Sequence, residues 1–364
     1  MRILILANFD AGLYKFRKEL IQELVKEHQV SICLPKGDYT ERLINLGCHF
    51  IPCDLLDRRG KNPLKDIKLL SFYKETLKAI KPNIVFTYTI KPNVYGGMAC
   101  ALLRVPYIAN ITGLGTSIEN GGVLQRITLL LYKFGLRKAQ RVFFQNIYNY
   151  QFMSAKGIVG DYYSILPGSG VNLEEHSYEP YPSEEDGIRF LFVGRIMKDK
   201  GIEEYLYCAK QIHDTHPECS FSLIGDYDDE SYRSVIEKYE KKDILKFFGQ
   251  QKDVHSFMKL HHILIQPSYH EGLSNVLLEA AACGRPVIAS CIPGCKETFD
   301  EGISGFGFEP RNVDSLVETV EKMISMSTHE RRQMGICGRR KVEKEFCRQI
   351  VIDAYLKELC LISK

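Results

Sequence analysis

Short apolar runs alternate along most of the chain with longer stretches whose apolar positions recur every three or four residues. The short runs read as buried β-strands. In the first half they are 2–7, 30–34, 49–52, 84–88, 107–111, 142–145 and 163–166; in the second, 188–193, 220–224, 245–248, 263–266, 287–289 and 305–308. Segments 16–27, 67–80, 201–213, 231–241 and 313–326 carry the helical period between them. Apolar strands separated by helices predict parallel, doubly wound sheets covered on both faces. The alternation breaks once, at GSGVNLEEHSYEPYPSEEDG (168–187), which is polar, acidic and proline-containing. The expected architecture is therefore α/β, with two Rossmann-like domains facing across a cleft. These are an N-terminal domain (1–168), a linker (169–187) and a C-terminal domain (188–345). Segment 346–364 is expected to be a helix packing back towards the N-terminal domain. A length of 364 residues suits two cores better than one.

The most informative stretch is SYHEGLSNVLLEAAACGRPVIASCIPGCKE (268–297). Ser274 is placed as an N-cap, residues 275–283 favour helix, and Gly284 suits a left-handed C-cap. Glu271 then lies in the loop before a helix and Glu279 on its second turn. Free N–H groups at such a helix start attract phosphate. A carboxylate on each side can hold sugar and ribose hydroxyls, which outlines a nucleotide-sugar site.

With 45% hydrophobic and 26% charged residues, the composition is that of an ordinary globular protein. No apolar run reaches the roughly 18 residues of a membrane-spanning helix. The N-terminal MRILILANFD reads as a buried strand rather than a signal peptide, since it lacks a small-residue cleavage site and passes into a charged helix. Net charge is +3 but uneven. Residues 1–180 carry 23 Lys+Arg against 15 Asp+Glu (+8), and 181–364 carry 25 against 30 (−5). A basic half can face an anionic membrane surface or simply scatter solvated lysines, and the sequence leaves both open. The clusters Arg58, Arg59, Lys61, Lys65, Lys68 and Arg126, Lys133, Arg137, Lys138, Arg141 lean towards the membrane. No nucleic-acid module accompanies the charge, so no nucleic-acid partner is expected. Twelve cysteines include no CxxC pair. Cys33, Cys100, Cys208 and Cys283 lie in apolar stretches and are expected to be buried free thiols, which suits a cytoplasmic protein.

A second constellation is FVGRIMKDKG (192–201). A strand ends at Val193, Gly194 turns the chain, and Arg195 and Lys200 bracket a loop at the carboxyl edge of a parallel sheet. A planar guanidinium and a mobile ammonium placed there suit a diphosphate.

Together, GR(x4)KG, E-G-(x6)-E and AAACGRPVIAS resemble the retaining GT-B glycosyltransferases of family 4 over nearly the whole chain. NITGLGT and TIKPNVYGG resemble the bacterial enzymes of capsule, O-antigen and glycan-carrier synthesis. The resemblance implies that Arg195 and Lys200 hold the donor diphosphate and that Glu271 contacts the donor sugar; these three form the catalytic set. Glu279 would hold the ribose. Gly12, Gly194, Gly225, Gly272, Leu273, Ser274, Asn275 and Val276 would complete the donor cradle, with Gly12 in a loop 8–13. Where many relatives carry a His-Gly pair, this chain reads Asn110-Ile111-Thr112-Gly113, so no histidine catalyst is named. Thr112 and Lys91 are candidates for acceptor binding, and a plain loop lysine before Pro92 is the alternative for Lys91. The implied reaction moves a hexose or N-acetylhexosamine from a UDP-sugar to a lipid-diphosphate-linked saccharide. It needs no cofactor and no metal, and would take place at the inner face of the plasma membrane. UDP-sugar 2-epimerases, sucrose- or starch-type synthases and a non-catalytic nucleotide-sugar-binding protein remain alternatives. Asp226-Tyr227-Asp228 has metal-binding spacing but reads as a polar loop, and His261-His262 reads as packing.

Overall fold

Each of the thirteen apolar runs forms a strand in the computed structural model, which describes residues 1–56, 62–115, 118 and 121–362. The basic positions Arg58, Arg59 and Lys61 lie outside the described residues. The strands fall into two separate sheets, one in each of two compact units: Met1–Ser169 with Gln349–Lys364, and Gly170–Arg348.

The first sheet contains β1 (Arg2–Leu6), β2 (Gln29–Leu34), β3 (His49–Pro52), β4 (Ile84–Tyr88), β5 (Tyr107–Ile111), β6 (Arg141–Phe144) and β7 (Tyr163–Ile165). Their order is β3-β2-β1-β4-β5-β6-β7, with every pair parallel. The N-terminal strand is thus central: Ile3 is in register with Val30 on one side and Ile84 on the other, and Ile3 to Leu6 are fully buried. The second sheet contains β8 (Arg189–Val193), β9 (Ser220–Ile224), β10 (Leu245–Phe247), β11 (Ile263–Gln266), β12 (Val287–Ser290) and β13 (Gly305–Phe308). It is ordered β10-β9-β8-β11-β12-β13 and is likewise parallel. Strand order reverses between β1 and β4 in one sheet and between β8 and β11 in the other. In open α/β sheets, ligands bind at the carboxyl ends of strands flanking such a reversal.

Residues beyond Gln349 join the first unit's core. Val351, Ile352, Tyr355 and Leu359 of the helix Arg348–Ile362 pack with Ile3, Ile5 and Phe86, each burial being worth about 1.5–3 kcal/mol. The Tyr355 ring meets Phe86 and Phe143 edge-on at 5.1 and 5.0 Å. Its hydroxyl lies 2.8 Å from the Tyr88 hydroxyl and donates to Asn110 Oδ1.

The stretch 170–187, read from sequence as a linker, is bonded into the second unit. Val171 N–H donates to Phe346 O at 2.7 Å, and the Glu184 carboxylate pairs with Arg331 at 2.6 Å. The fully buried Arg285 guanidinium donates to the carbonyls of Glu179, Pro180, Met258 and Lys259 at 3.0–3.1 Å. A buried cation satisfied by carbonyl oxygens fixes the chain path as firmly as a strand pairing would.

Candidate functional site

The exits of β8 and β9 approach each other closely. Gly194 N–H donates to Ile224 O at 2.9 Å, and a Cβ on Gly225 would lie 1.8 Å from Gly194 O. Only glycine fits at 225. Arg195 follows, half-exposed, with Nη1 3.3 Å from Asp228 Oδ1. The Asp-x-Asp segment is therefore engaged by the protein itself. Asp228 is the counter-ion of Arg195, and Asp226 Oδ1 accepts from Tyr227 N–H at 3.0 Å.

A 3-10 turn, Lys198–Lys200, ends at Gly201 in the left-handed region (φ +71°). A Cβ there would lie 2.0 Å from Pro267 O, so this turn is clamped against the exit of β11. The clamp sets Lys200 Nζ 2.5 Å from Glu271 Oε1. Ser268 Oγ donates to the same oxygen at 2.8 Å, and Gln266 Nε2 lies 3.4 Å away. Glu271 Oε2 is not engaged by any of these donors. Sequence reasoning missed Ser268 and Gln266; the signal available was two polar residues ending an otherwise apolar strand. Burial holds the neighbouring His270 imidazole below its ordinary range.

Glu271 leads into the helix Asn275–Ala282. Ser274 has the extended backbone of an N-cap (φ −75°, ψ 100°), yet its hydroxyl makes no capping bond. The first N–H groups of the helix have no partner within it. Asn275 Oδ1 is also buried with no hydrogen-bond partner among the described residues. The loop's shape is fixed from behind. Ser274 N–H donates to Gly294 O at 2.8 Å, Gly294 N–H donates to Glu297 Oε2 at 2.7 Å, and a Cβ on Gly294 would lie 2.6 Å from Glu271 O. Gly284 ends the helix with φ +78°. Arg195, Lys200, Glu271 and the segment Gly272 to Val276 thus converge at the β8/β11 reversal point.

Glu279 lies one turn into the helix, 4.0 Å from His176 Nε2. A turn later, Cys283 Sγ is 3.1 Å from His255 Nδ1, and His255 Nε2 is 3.2 Å from Glu179. Burial pushes the Cys283 thiol up to about 12, so it is protonated at neutral pH and donates to Nδ1, while Nε2–H donates to the carboxylate. The donor atoms of His176, His255 and Cys283 lie within 4.8 Å of one another. Among the described residues every cysteine is a free thiol. His262 is fully buried, its Nδ1 accepting from Arg189 N–H at 2.9 Å and its Nε2–H donating to Ser183 O at 3.0 Å, a packing role.

In the first unit, Gly12 belongs to the opening turn of the helix Asp10–Glu27 rather than to a loop 8–13. Asp10 begins that helix because its buried carboxylate accepts from Ala11 N–H and Tyr39 N–H, each at 2.7 Å. Lys91 follows β4 through Thr89, a non-glycine residue in the left-handed region (φ +70°). Its ammonium is paired with Asp66 at 2.9 Å, and Asp66 also accepts from the Tyr95 hydroxyl. Thr112, at the end of β5, lines a small cavity with Asn110 and the buried Arg17.

Two parallel-sheet, Rossmann-like units, each with one strand reversal, define the GT-B class of fold. Comparison with known proteins supplies the family. The model "Glycosyl transferase 4-like" matches residues 2–146 and "Glycosyl transferases group 1" matches residues 175–341. The chain is a GT-B glycosyltransferase of family 4. It is similar to the N,N'-diacetylbacillosaminyl-diphospho-undecaprenol alpha-1,3-N-acetylgalactosaminyltransferase of Campylobacter jejuni, at 25% identity over 89% of each chain. It is also similar to the UDP-Gal:alpha-D-GlcNAc-diphosphoundecaprenol alpha-1,3-galactosyltransferase of Escherichia coli, at 26% identity over 80% of this chain and 79% of that one. Among solved structures, sucrose-phosphate synthase from Thermosynechococcus elongatus superposes with a TM-score of 0.82 at 18% identity, covering all of both chains. HepE of Anabaena, solved with UDP, superposes at 0.79 and 17% identity over 99% of each chain. Both share the fold. Among the described residues no helix is long and apolar enough to cross a membrane.

Proposed function

We propose that this protein transfers a hexosyl or N-acetylhexosaminyl group from a UDP-sugar to a saccharide carried on a lipid diphosphate, with retention at the anomeric carbon. The observation that carries the proposal is the convergence at the β8/β11 reversal of Arg195, Lys200, Glu271 and the uncapped helix start at Asn275. The acceptor class is supported by the two relatives just named, which span most of this chain.

Arg195 and Lys200 receive the donor diphosphate, together with N–H groups from Gly272 to Val276. Glu271 accepts from donor-sugar hydroxyls and Glu279 from the ribose, with Gly194 and Gly225 leaving room for the donor. Lys91 and Thr112 serve the acceptor. Glu271 is tied through Oε1 to Lys200 and Ser268 and is assigned to the donor-sugar hydroxyls, not to nucleophilic attack. The acceptor oxygen therefore attacks the anomeric carbon on the face the diphosphate leaves. The C1–oxygen bond to phosphate breaks, and the departing phosphate oxygen takes the acceptor proton. Negative charge grows on that leaving group, so fixed cations and N–H dipoles lower the barrier without a metal; one such group is typically worth about 3–4 kcal/mol.

The test is a donor screen that follows UDP or GDP release with and without lipid-diphosphate-linked monosaccharides. UDP release that requires the acceptor, with an α-linked product by NMR, is the expected result. Release of GDP alone, or of UDP at equal rates without acceptor, would overturn the proposal.

A further inference from the structure

Three metal-ligating side chains from distant parts of the chain meet within the second unit. Cys283 closes the helix Asn275–Ala282, His255 opens the helix His255–Leu260, and His176 lies in the polar stretch before β8. Their donor atoms all lie within 4.8 Å of one another, with Cys283 Sγ and His255 Nδ1 3.1 Å apart. The two imidazoles meet edge-on, their centroids 5.8 Å apart and their planes at 72°. Tetrahedral zinc holds nitrogen and sulfur ligands roughly 3.4–3.6 Å apart, so small side-chain rotations bring all three to bonding distance.

The backbone around the cluster is pinned. Arg339 Nη1 donates to His176 O at 2.9 Å and to Ala282 O at 2.8 Å, which ties the first histidine to the residue before the cysteine. Glu179 N–H donates to Cys283 O at 3.3 Å, and the Glu179 carboxylate accepts from His255 Nε2–H at 3.2 Å. That last bond turns the Nδ1 lone pair towards the thiol. It is the carboxylate–histidine pairing that orients imidazole ligands of zinc. Cys283 is fully buried, while the His176 and His255 side chains keep exposures of 17% and 21%, which leaves an approach from solvent. Glu279 stands one turn before Cys283 on the same helix face, 4.0 Å from His176 Nε2.

We propose that His176, His255 and Cys283 form a regulatory site for zinc, and that the bound ion draws in Glu279 as its fourth ligand. A thiolate with two imidazoles selects zinc over magnesium, calcium and manganese, which prefer oxygen ligands. On binding, the Sγ–H bond breaks, its proton passes to solvent and an Sγ–zinc bond forms, with no change of oxidation state. The same Glu279 carboxylate is assigned above to the donor ribose, so zinc and donor compete for it. The regulation rests on that assignment; the metal site does not. Zinc-free protein is the active form.

The experiment strips the full chain with EDTA, dialyses the chelator away, and titrates with zinc against a chromophoric chelator and with cobalt followed by absorption. One equivalent of each is expected to bind. The cobalt complex should show the intense visible bands of a tetrahedral site and a thiolate charge-transfer band in the near ultraviolet. Cys283→Ala should remove the thiolate band, and His255→Gln and Glu179→Gln should each weaken zinc binding by about ten- to a hundredfold. All three variants should transfer like wild type without zinc. In wild type, zinc should raise the apparent KM for the donor about tenfold at unchanged kcat, and the same zinc concentration should leave His255→Gln unaffected. A cobalt complex with no thiolate band, or wild-type zinc affinity in both Cys283→Ala and His255→Gln, would overturn the site. Zinc bound with the donor KM unchanged would overturn the regulation, as would transfer lost on chelation and restored by zinc. Absence of transfer from any donor, alongside the expected cobalt spectrum, would instead overturn only the proposed function.

Discussion

Lys200→Met removes the cation 2.5 Å from Glu271 while keeping a side chain of similar length. Both partners are mostly buried, with side-chain exposures of 20% and 14%. At this separation the gross attraction is about 7 kcal/mol for an effective dielectric constant near 20. Most of that is offset by taking two ions out of water. Glu271 keeps its bond from Ser268, so the expected net loss of stability is about 2 kcal/mol. For a folded unit the size of Gly170–Arg348 that lowers its Tm by roughly 4–8 °C. Catalysis should suffer far more, by about 10²–10³ in kcat/KM, if the ammonium stabilises charge growing on the diphosphate. The two effects separate in a cycle with Glu271→Gln. The neutral amide of that variant leaves no buried charge to compensate, so adding Lys200→Met to Glu271→Gln should cost less stability than adding it to wild type, while transfer stays absent. Acceptor-dependent UDP release, calorimetric UDP binding and thermal melts read all three quantities. Transfer within tenfold of wild type in Lys200→Met would refute the assignment, as would unchanged UDP affinity.

Gly201→Ala should lower both Tm and transfer, because a Cβ 2.0 Å from Pro267 O at φ +71° must displace the turn that carries Lys200; wild-type values of both would mean the clamp is not rigid. Burial pushes the His262 imidazole down to about 4, against about 6.5 in an unfolded chain. The unfolded state therefore binds the extra proton first. Stability contributed by neutral His262 is complete above pH 6.5 and is lost as pH falls towards 4, by up to about 3 kcal/mol. Urea melts of wild type and His262→Gln at pH 7 and pH 4.5 should differ in slope with pH, and identical slopes would count against this account. Transfer should survive dialysis against EDTA at full rate, with no stoichiometric metal by elemental analysis. A loss restored by zinc would point to His176, His255 and Cys283, whose donor atoms lie within 4.8 Å of one another.

The strands were legible because parallel strands covered on both faces must be apolar throughout, and such runs stand out without any partner being known. Helix starts were not. The periodic signal begins near residue 16, yet the first helix begins at Asp10, where a carboxylate bonded to Tyr39 N–H stabilises a turn whose own residues are only weakly periodic. The same distance problem hid the fate of 170–187, whose polar residues suggest a solvated linker until Arg285 and Arg331 arrive from more than a hundred positions away. In the candidate site the charged residues could be picked out, but their pairings could not. Asp228 meets Arg195 only because β8 and β9 are neighbours and the bridge between Ile196 and Tyr227 extends their pairing past the strand ends.

Those pairings alter the chemical picture of the proposed donor site. Its two cations are not bare: Arg195 faces Asp228 and Lys200 faces Glu271, so the cluster is close to neutral before any ligand arrives. An incoming diphosphate exchanges partners with these carboxylates instead of meeting unpaired cations. Part of the gross attraction is thereby given up, and in return Lys200 is held in place by Glu271. On the proposed assignment Glu271 also grips the sugar, so the same residue that fixes the cation fixes the group to be transferred. Glu271 substitutions should then perturb diphosphate and sugar recognition together, a coupling that the Lys200/Glu271 cycle measures directly.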